Sequence, residues 1–282
     1  MFALSGLFRA ESTAMINDTA PACRETPLLM VPTYNERDNV VTLCERLADL
    51  RVPLDILFID DNSPDGTGAV LDELATRSGA MTILHRPGKL GVGTAHQTGI
   101  AWAYRHGYRV LITMDADFSH DPAYVPAFLA AAGDVDVVVG SRHLQSNSLR
   151  EWNLLRKTLT KVGYLLTRLL LGMPYDATGA FRLYRLDRIQ PALFELVESQ
   201  GYSFFFESLY QLHRHGYRIR EIPIILPART YGQSKMRLTD ALHSVRRLTE
   251  IMARRRNAHA RGLHPLAVRV NNPDDNTQTT HV

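Results

Sequence analysis

Two aspartates separated by one residue form the strongest candidate for a catalytic site. Asp115 and Asp117 come directly after the apolar segment 109–114, so both carboxylates can approach one divalent cation. Hard cations such as Mg²⁺ and Mn²⁺ prefer carboxylate oxygens and complete their coordination with substrate phosphates. In a simpler interpretation, Asp117 or Asp121 only caps the helix that is predicted to begin at Pro122. The pair therefore indicates either a metal site or a helix cap.

A second acidic cluster follows a different apolar segment. Asp60 and Asp61 begin a turn that also contains Asp65, Gly66 and Thr67. Short polar side chains commonly hydrogen-bond the backbone of such a turn, and this is how we interpret Asp65 and Thr67. We interpret Asp61 instead as a ligand contact that accepts hydrogen bonds from a base or a ribose.

Cations and glycines are combined in the loop 86–94. Arg86 and Lys89 precede a predicted helix N-terminus, where backbone N–H groups favour phosphate oxygens. The loop does not match a dinucleotide-binding fingerprint, because His96 stands where that motif requires glycine. A glycine-rich turn that packs against its own helix explains the loop equally well.

Further cations stand near other predicted chain turns. Arg142 follows the fifth predicted strand and should face the same cleft as the aspartates. Arg229 and Lys235 flank a loop that contains glycine and are hard to explain as core residues, so we interpret them as part of an anion-binding lid. The aromatic segment 204–206 is better explained as core than as a site.

Short apolar segments alternate with helical patterns along the first half of the chain. Strands are predicted at 28–32, 55–59, 81–84, 109–114 and 135–139, with helices at 38–50, 68–78, 94–106 and 122–132 between them. This alternation predicts an α/β fold with a mostly parallel sheet covered by helices on both faces. Ligands of such sheets bind beyond the carboxyl ends of the strands. The polar clusters stand at these ends: 33–36, 60–67, 85–93 and 115–121. We therefore expect them to share one cleft.

The second half contains a long amphipathic helix, predicted at 152–173. Its apolar stripe consists of Leu155, Leu159, Val162, Leu166 and Leu169, and its cations are Lys157, Lys161 and Arg168. Taken alone, such a stripe is better explained by packing on the protein core than by contact with a membrane. Further helices are predicted at 187–198, 207–215 and 238–256, and a strand at 219–226.

Composition and charge narrow the class of protein. The chain has 282 residues, of which 45% are apolar and 22% charged, which excludes a wholly disordered, collagenous or polytopic membrane protein. We expect no transmembrane helix and no secretory signal. Two cysteines exclude a disulfide framework and indicate a reducing compartment. Eight Lys or Arg residues against two acidic ones in the segment 235–261 indicate a surface that meets anions.

Several motifs occur in an order that resembles a known family. They are Val31-Pro-Thr-Tyr-Asn-Glu36, Asp60-Asp-Asn-Ser-Pro-Asp-Gly-Thr67, Lys89-Leu-Gly-Val-Gly93, Met114-Asp-Ala-Asp-Phe-Ser-His-Asp-Pro122, Gly140-Ser-Arg142, Gly201-Tyr-Ser-Phe204 and the segment from Arg229 to Ser234-Lys235. Together they resemble the dolichol-phosphate mannosyltransferases, within the inverting family 2 glycosyltransferases of GT-A fold. The resemblance implies a Rossmann-like domain, a nucleotide-sugar donor that is usually GDP-mannose, a polyprenyl phosphate acceptor, and Mg²⁺ or Mn²⁺ as cofactor.

The resemblance also implies roles for individual residues. The nucleotide sugar would be held by Pro32, Tyr34, Glu36, Ile59, Asp61, Lys89, Asp115, Ala116, Asp117, Arg142, Arg229 and Lys235. The catalytic residues would be Asp115, Asp117 and Arg142, and the metal would be held by Asp115, Asp117 and Ser119. The acceptor phosphate would be contacted by Arg142, Arg156, Thr160 and Arg229.

The sequence departs from the pattern of the family in two places. Thr178-Gly-Ala-Phe-Arg182 replaces the usual Thr-Ser-Gly-Phe-Arg, and Phe205 replaces a polar residue. Both departures leave the sugar and the acceptor open, so a UDP-glucose type of donor or another acceptor remains an alternative. An oxidoreductase is disfavoured because no glycine fingerprint follows the first strand. A non-catalytic membrane-binding or nucleic-acid-binding module would have no need for the acidic cleft.

The expected organisation follows from the extent of the resemblance. It consists of a flexible tail at 1–27, a GT-A domain at 28–228, an acceptor loop with a basic amphipathic helix at 229–262, and a disordered tail at 263–282. We expect a cytoplasmic enzyme, peripherally associated with an anionic membrane surface, with no nucleic-acid partner.

Overall fold

The computed structural model describes residues 23–145, 148–149, 154–227 and 238–260. The strands are β1 (Leu28–Thr33), β2 (Asp55–Asp60), β3 (Met81–His85), β4 (Val110–Thr113), β5 (Val137–Ser141), β6 (Arg182–Arg185) and β7 (Ile219–Pro223). The helices are α1 (Arg37–Asp49), α2 (Thr67–Thr76), α3 (Val92–Arg105), α4 (Val125–Ala131), α5 (Leu154–Leu171), α6 (Ala192–Glu195), α7 (Ser203–Arg214) and α8 (Leu238–Ala260).

The strands form one sheet in the order β3-β2-β1-β4-β6-β5-β7. β1 pairs in parallel with both β2 and β4, whereas β6 is antiparallel to its neighbours β4 and β5. The predicted α/β fold with a mostly parallel sheet is confirmed. Because β2 and β4 lie on opposite sides of β1, the carboxyl end of β1 is the position where sheets of this kind bind ligands.

The sheet is buried on both faces, which explains why its strands read as continuous apolar segments. Leu28 and Met30 of β1 enter the apolar cluster that includes α3, α7 and α8. Leu29 and Val31 enter the cluster on the other face, with α1, α2 and α4. Both clusters bury β1 completely at these four positions, so its end is held rigidly between two layers of helices.

Several predicted elements differ from the observed ones. The prediction of a helix at 187–198 is wrong, because only α6 (Ala192–Glu195) is helical in this range. Asp187 is instead drawn into ion pairs with Arg109 and Arg185, and Pro191 lacks the N–H that a continuous helix requires. α7 begins at Ser203 rather than at residue 207, and β6 was not predicted.

Three residues of the apolar stripe of α5 face outward. Leu159 and Leu169 are 52% and 68% exposed, and Val162 is also exposed, while Thr167 and Leu171 are buried. Packing of the whole stripe on the core is therefore wrong, although Leu166 does pack there. Exposed apolar residues on the two neighbouring helices form what we call the apolar patch: Leu159, Val162, Leu165 and Leu169 of α5, with Leu242 and Val245 of α8. Within the described part of the chain, no helix is long and apolar enough to cross a membrane.

Candidate active site

A cavity of about 390 Å³ lies beyond the carboxyl ends of β1, β2 and β4. Eight of the predicted site residues line it: Pro32, Tyr34, Glu36, Asp61, Lys89, Asp115, Ala116 and Asp117. The polar clusters that follow separate strands thus share one cavity. Its other lining residues were not predicted as site residues: Thr33, Gly91, Val92, Ala95, Gly201, Tyr202, Phe205, Thr239 and Asp240.

The turn after β4 holds its two aspartates in different ways. Asp117 is nearly buried, and its Oδ1 accepts hydrogen bonds from the Ser119 amide (3.1 Å) and the Ser119 hydroxyl (2.5 Å). Phe118 between them adopts a left-handed backbone with φ 59°, which is uncommon for a residue with a bulky side chain. Ser119 does not line the cavity, so in this arrangement its hydroxyl orients Asp117.

His120 holds the backbone of Asp115, although the sequence did not predict it as a site residue. Its Nδ1 accepts a hydrogen bond from the Asp115 amide at 2.9 Å, so that nitrogen carries no proton. The ring is buried against Phe181, with 5.0 Å between ring centroids. The only signal in the sequence is a histidine three residues beyond Asp117, and that spacing does not predict this contact.

The two carboxylates of this turn suit a hard divalent cation. Asp115 and Asp117 both line the cavity and offer anionic oxygens, which Mg²⁺ and Mn²⁺ prefer. The described residues contain no group of three or more His, Cys, Asp or Glu side chains able to hold a metal ion. Substrate phosphate oxygens would have to complete such a coordination shell, as is usual for Mg²⁺.

Asp61 lines the cavity as one half of a buried ion pair. Its Oδ1 lies 2.7 Å from Nη1 of Arg86, and its Oδ2 accepts a hydrogen bond from the Leu90 amide at 3.2 Å. Burial raises the pKa of Asp61 above its ordinary value, against the opposing effect of Arg86. Arg86 therefore neutralises and positions Asp61, and it also donates to the Thr94 hydroxyl at 2.5 Å.

Tyr34 and Glu36 follow β1 and are each held by a neighbour. The Lys89 ammonium lies 4.2 Å from the centroid of the Tyr34 ring, a cation–π contact at the cavity. Glu36 accepts a hydrogen bond from the Asn39 side chain at 2.6 Å. The structural role expected for Asp65 is confirmed, because it accepts hydrogen bonds from the amide and hydroxyl of Thr67 at 3.0 and 2.6 Å.

The glycine loop before α3 packs against a distant segment. The Gln200 carbonyl accepts a hydrogen bond from the Thr94 amide at 3.2 Å. A Cβ atom on Gly91 would lie 2.7 Å from the Gln200 oxygen, and one on Gly93 would lie 2.7 Å from its carbonyl carbon. These glycines permit a close backbone approach. Neither open interpretation of the loop included this contact.

Arg142 is drawn away from the cavity by a buried carboxylate. Its Nε lies 2.7 Å from Oδ2 of Asp176, which is fully buried, and its Nη2 lies 3.3 Å from the Thr178 hydroxyl. Burial raises the pKa of Asp176, but Arg142 and its hydrogen bonds hold that pKa below the ordinary value. Next to it, the His143 ring stacks on Tyr164 of α5 with 4.1 Å between centroids. Arg142 therefore lies beside α5.

Two of the remaining predicted residues are not brought to the cavity, and the side chains of three lie outside the described part of the structure. Ile59 is wholly buried within β2, and Thr160 lies on α5 outside the cavity lining. The side chain of Arg156 lies outside the described part of the structure, as do Arg229 and Lys235.

Comparison with known proteins places this site in a family. The profile of glycosyl transferase family 2 matches residues 29–190. The chain is 38% identical over 210 residues to the undecaprenyl-phosphate mannosyltransferase of Micrococcus luteus, covering 74% of this chain and 86% of that protein. It is 35% identical over 239 residues to the polyprenol monophosphomannose synthase of Mycolicibacterium smegmatis, covering 84% and 90%.

The chain is also similar to a solved structure. It is the mannosyltransferase PcManGT from Pyrobaculum calidifontis in complex with GDP-Man and Mn²⁺, 19% identical with a TM-score of 0.47, covering 76% of this chain and 61% of that one.

The family profile spans more than half of the sequence, and both curated relatives align over most of their length. The chain belongs to glycosyltransferase family 2.

Proposed function

We propose that this protein transfers mannose from GDP-mannose to a polyprenyl phosphate at a membrane surface. The observation that carries the proposal is the single cavity in which Asp61, Lys89, Asp115 and Asp117 meet beyond the strand ends. The two curated relatives are named for mannosyl transfer to undecaprenyl phosphate and for synthesis of a polyprenol monophosphomannose. A nucleotide sugar is the donor that this family membership and cavity chemistry favour.

In this proposal, the donor spans the cavity from the end of β2 to the end of β4. Asp61, oriented by Arg86, accepts hydrogen bonds from the base or ribose. Tyr34 and Lys89 form a wall with an aromatic face and a positive charge. Asp115 and Asp117 would hold Mg²⁺ or Mn²⁺ near the diphosphate. When bound, the cation supplies positive charge that stabilises the leaving nucleoside diphosphate.

The reaction needs little help from a protein base. A phosphate monoester has a second pKa near 6, so the acceptor is mostly dianionic at neutral pH and is already a nucleophile. Its oxygen attacks the anomeric carbon as the bond to the donor diphosphate breaks on the opposite face, which inverts the configuration. The protein must instead hold two anions together. We assign Arg142 to the acceptor side, because it lies beside α5, with Arg156, Thr160, Arg229 and Lys235 as further candidates.

We further propose that the apolar patch lies on an anionic bilayer. A helix with an apolar face and flanking cations lies in the interface plane rather than across the membrane. On α5, Lys161 and Arg168 are exposed beside the outward stripe, where they can meet lipid headgroups. This orientation would bring the site to an acceptor whose polyprenyl chain stays in the bilayer.

A donor panel tests the proposed reaction. The purified protein would be given GDP-mannose, GDP-glucose, UDP-glucose or UDP-N-acetylglucosamine, with a short polyprenyl phosphate and Mg²⁺ or Mn²⁺. We expect a mannosylated lipid phosphate, released GDP, and loss of turnover with a chelator. Preferential use of a UDP-sugar would contradict the donor assignment, and turnover that is unaffected by chelation would contradict the metal assignment.

A further inference from the structure

A buried carboxylate outside the donor cavity joins α8 to a wall of that cavity. Glu207 of α7 is 1% exposed. It accepts hydrogen bonds from the amides of Glu198 (3.1 Å) and Ser199 (3.2 Å), and from the Ser199 hydroxyl. From the other side, Arg247 of α8 donates to it through Nε at 3.1 Å and Nη2 at 2.5 Å. One carboxylate thus holds a loop and a helix together.

The loop that Glu207 holds forms part of the donor cavity. Gly201 and Tyr202 line the cavity directly. Gln200, one residue earlier, accepts the hydrogen bond from the Thr94 amide in the first turn of α3. A shift of this loop would therefore move cavity residues on two elements.

The helix that carries Arg247 also contributes to the cavity. Thr239 and Asp240, in the first turn of α8, line it. Arg247 lies about two turns after Asp240 and on the same side of the helix.

A second cavity of about 400 Å³ lies between α8 and the loop. Besides the buried ion pair, Arg247 and Arg254 of α8 contact Glu198 of the loop at 3.0 and 2.7 Å. Ser244 of α8 contacts the Ser203 hydroxyl at 3.2 Å. Arg254 and Glu198 are 63% and 54% exposed, so their pair contributes little to holding the helix.

We propose that Glu207 and Arg247 are positioning residues that couple α8 to the donor cavity. With the pair intact, the loop stays against α3 and the first turn of α8 stays at the cavity. Without Arg247, Glu207 keeps its contacts with the loop but no longer anchors α8, and the Arg254–Glu198 ion pair that remains is exposed to solvent. Both walls of the cavity then loosen. The identity of the donor in this proposal rests on the proposed function, whereas the coupling does not.

Arg247→Met tests the coupling, and Arg246→Met is its matched control. Arg246 precedes it on the same helix, but it is 80% exposed and pairs with Glu250 on the surface. Donor affinity would be measured by calorimetry with GDP-mannose, without lipid or acceptor, and amide hydrogen exchange would be followed in parallel. We expect Arg247→Met to weaken donor binding about tenfold, within the usual range of coupling between sites. Exchange should become faster at the amides of Ser199 and Thr94, with a cooperative thermal transition retained.

The control separates coupling from a general weakening of the helix. Arg246→Met should match the wild type in both measurements. Glu207→Gln is a second variant, because the amide keeps the shape of the side chain but has one acceptor oxygen instead of two; it should repeat both effects of Arg247→Met. Unchanged exchange at the two amides in Arg247→Met, or an equal change in Arg246→Met, would overturn the coupling. If wild-type protein bound no nucleotide sugar, the proposed function would fail, while the exchange comparison would still decide the coupling.

Discussion

At the scale of single residues, the turn after β4 depends on contacts that hold its two aspartates. Asp117 is fixed by Ser119, and the backbone of Asp115 is fixed by His120. Asp121 lies in the same loop but has a different task, because it accepts a hydrogen bond from the Ala123 amide at 2.9 Å and does not line the cavity. The loop therefore contains both the site carboxylates and the helix cap that the sequence left as alternatives.

Asp117→Asn should lower turnover by about a hundredfold or more, because it removes a charge that the metal and the leaving diphosphate require. Steady-state turnover and calorimetric Mn²⁺ binding would be compared with those of Asp121→Asn. The control should keep its turnover and lose at most about 1 kcal/mol of stability from the weakened cap. Equal turnover in the two variants would refute the assignment.

His96 predicts a measurable dependence of stability on pH. Both ring nitrogens are buried without a hydrogen-bond partner among the residues that the structure describes, and burial, with Arg182 and His120 nearby, lowers its pKa to about 3. The unfolded chain binds this proton below about pH 6.5, whereas the folded protein does not. Stability should therefore fall as the pH drops from about 6.5 towards 3.

His96→Leu should remove this part of the pH dependence. At pH 7 the substitution should leave the free energy of unfolding unchanged or raise it, because an unsatisfied buried polar group lowers stability by about 1–3 kcal/mol. Urea unfolding of both proteins between pH 7 and 4.5 measures the difference. If the free energies of unfolding of the two proteins changed equally with pH over this range, His96 would titrate normally in the folded state.

Much of the cavity could be predicted from sequence at this scale, but its supports could not. Asp61, Asp115 and Asp117 stand at strand ends, so topology alone brings them together. Arg86 and Gln200 act through contacts between loops that are far apart in the chain, so their spacing carries no signal. His120 acts on Asp115 within one turn, and its position in the sequence does not predict that contact. Arg142 shows the converse: its place after β5 was correct, but the buried Asp176 turns its guanidinium aside.

At the scale of elements, the outward stripe of α5 is the feature that local sequence could not orient. A helical pattern gives an apolar face but does not say what covers it. The short strand β6 was missed for a related reason. The segment is only four residues long and has an arginine at each end, so it has no apolar run that predicts a strand. It forms a strand because it pairs with β4 and β5.

Leu165→Asp combined with Leu169→Asp should weaken binding to anionic vesicles by tenfold or more. Burying a leucine is worth about 1.5–3 kcal/mol, and both side chains are exposed, so the fold should lose little stability. Vesicle co-sedimentation would measure the effect, with Val41→Asp on the exposed side of α1 as control. Similar binding of the double variant and the control would show that the patch does not meet the bilayer.

At the scale of the whole molecule, the basic residues of α5 and of the segment 235–261 act together with the apolar patch. We therefore predict that vesicle binding has one part that salt weakens and one part that it does not. Basic side chains near an anionic surface each contribute about 1 kcal/mol, and salt screens that contribution. Raising the salt should therefore reduce vesicle binding without abolishing the apolar component. Flotation with vesicles of anionic or neutral lipid at low and high salt would separate the two parts. Indifference to anionic lipid at low salt would contradict membrane docking.

The strand order has a consequence for how this protein can be made. β6 lies between β4 and β5 in the sheet, but it follows α5 in the sequence. The other neighbour of β5 is β7, which comes later still, near residue 220. While the ribosome is still adding residues, β4 and β5 each present backbone edges with no partner, and such edges invite pairing between chains. Stalled or truncated translation products that end before β7 should therefore aggregate rather than fold. Synthesis must pass residue 223, the end of β7, before the sheet can close.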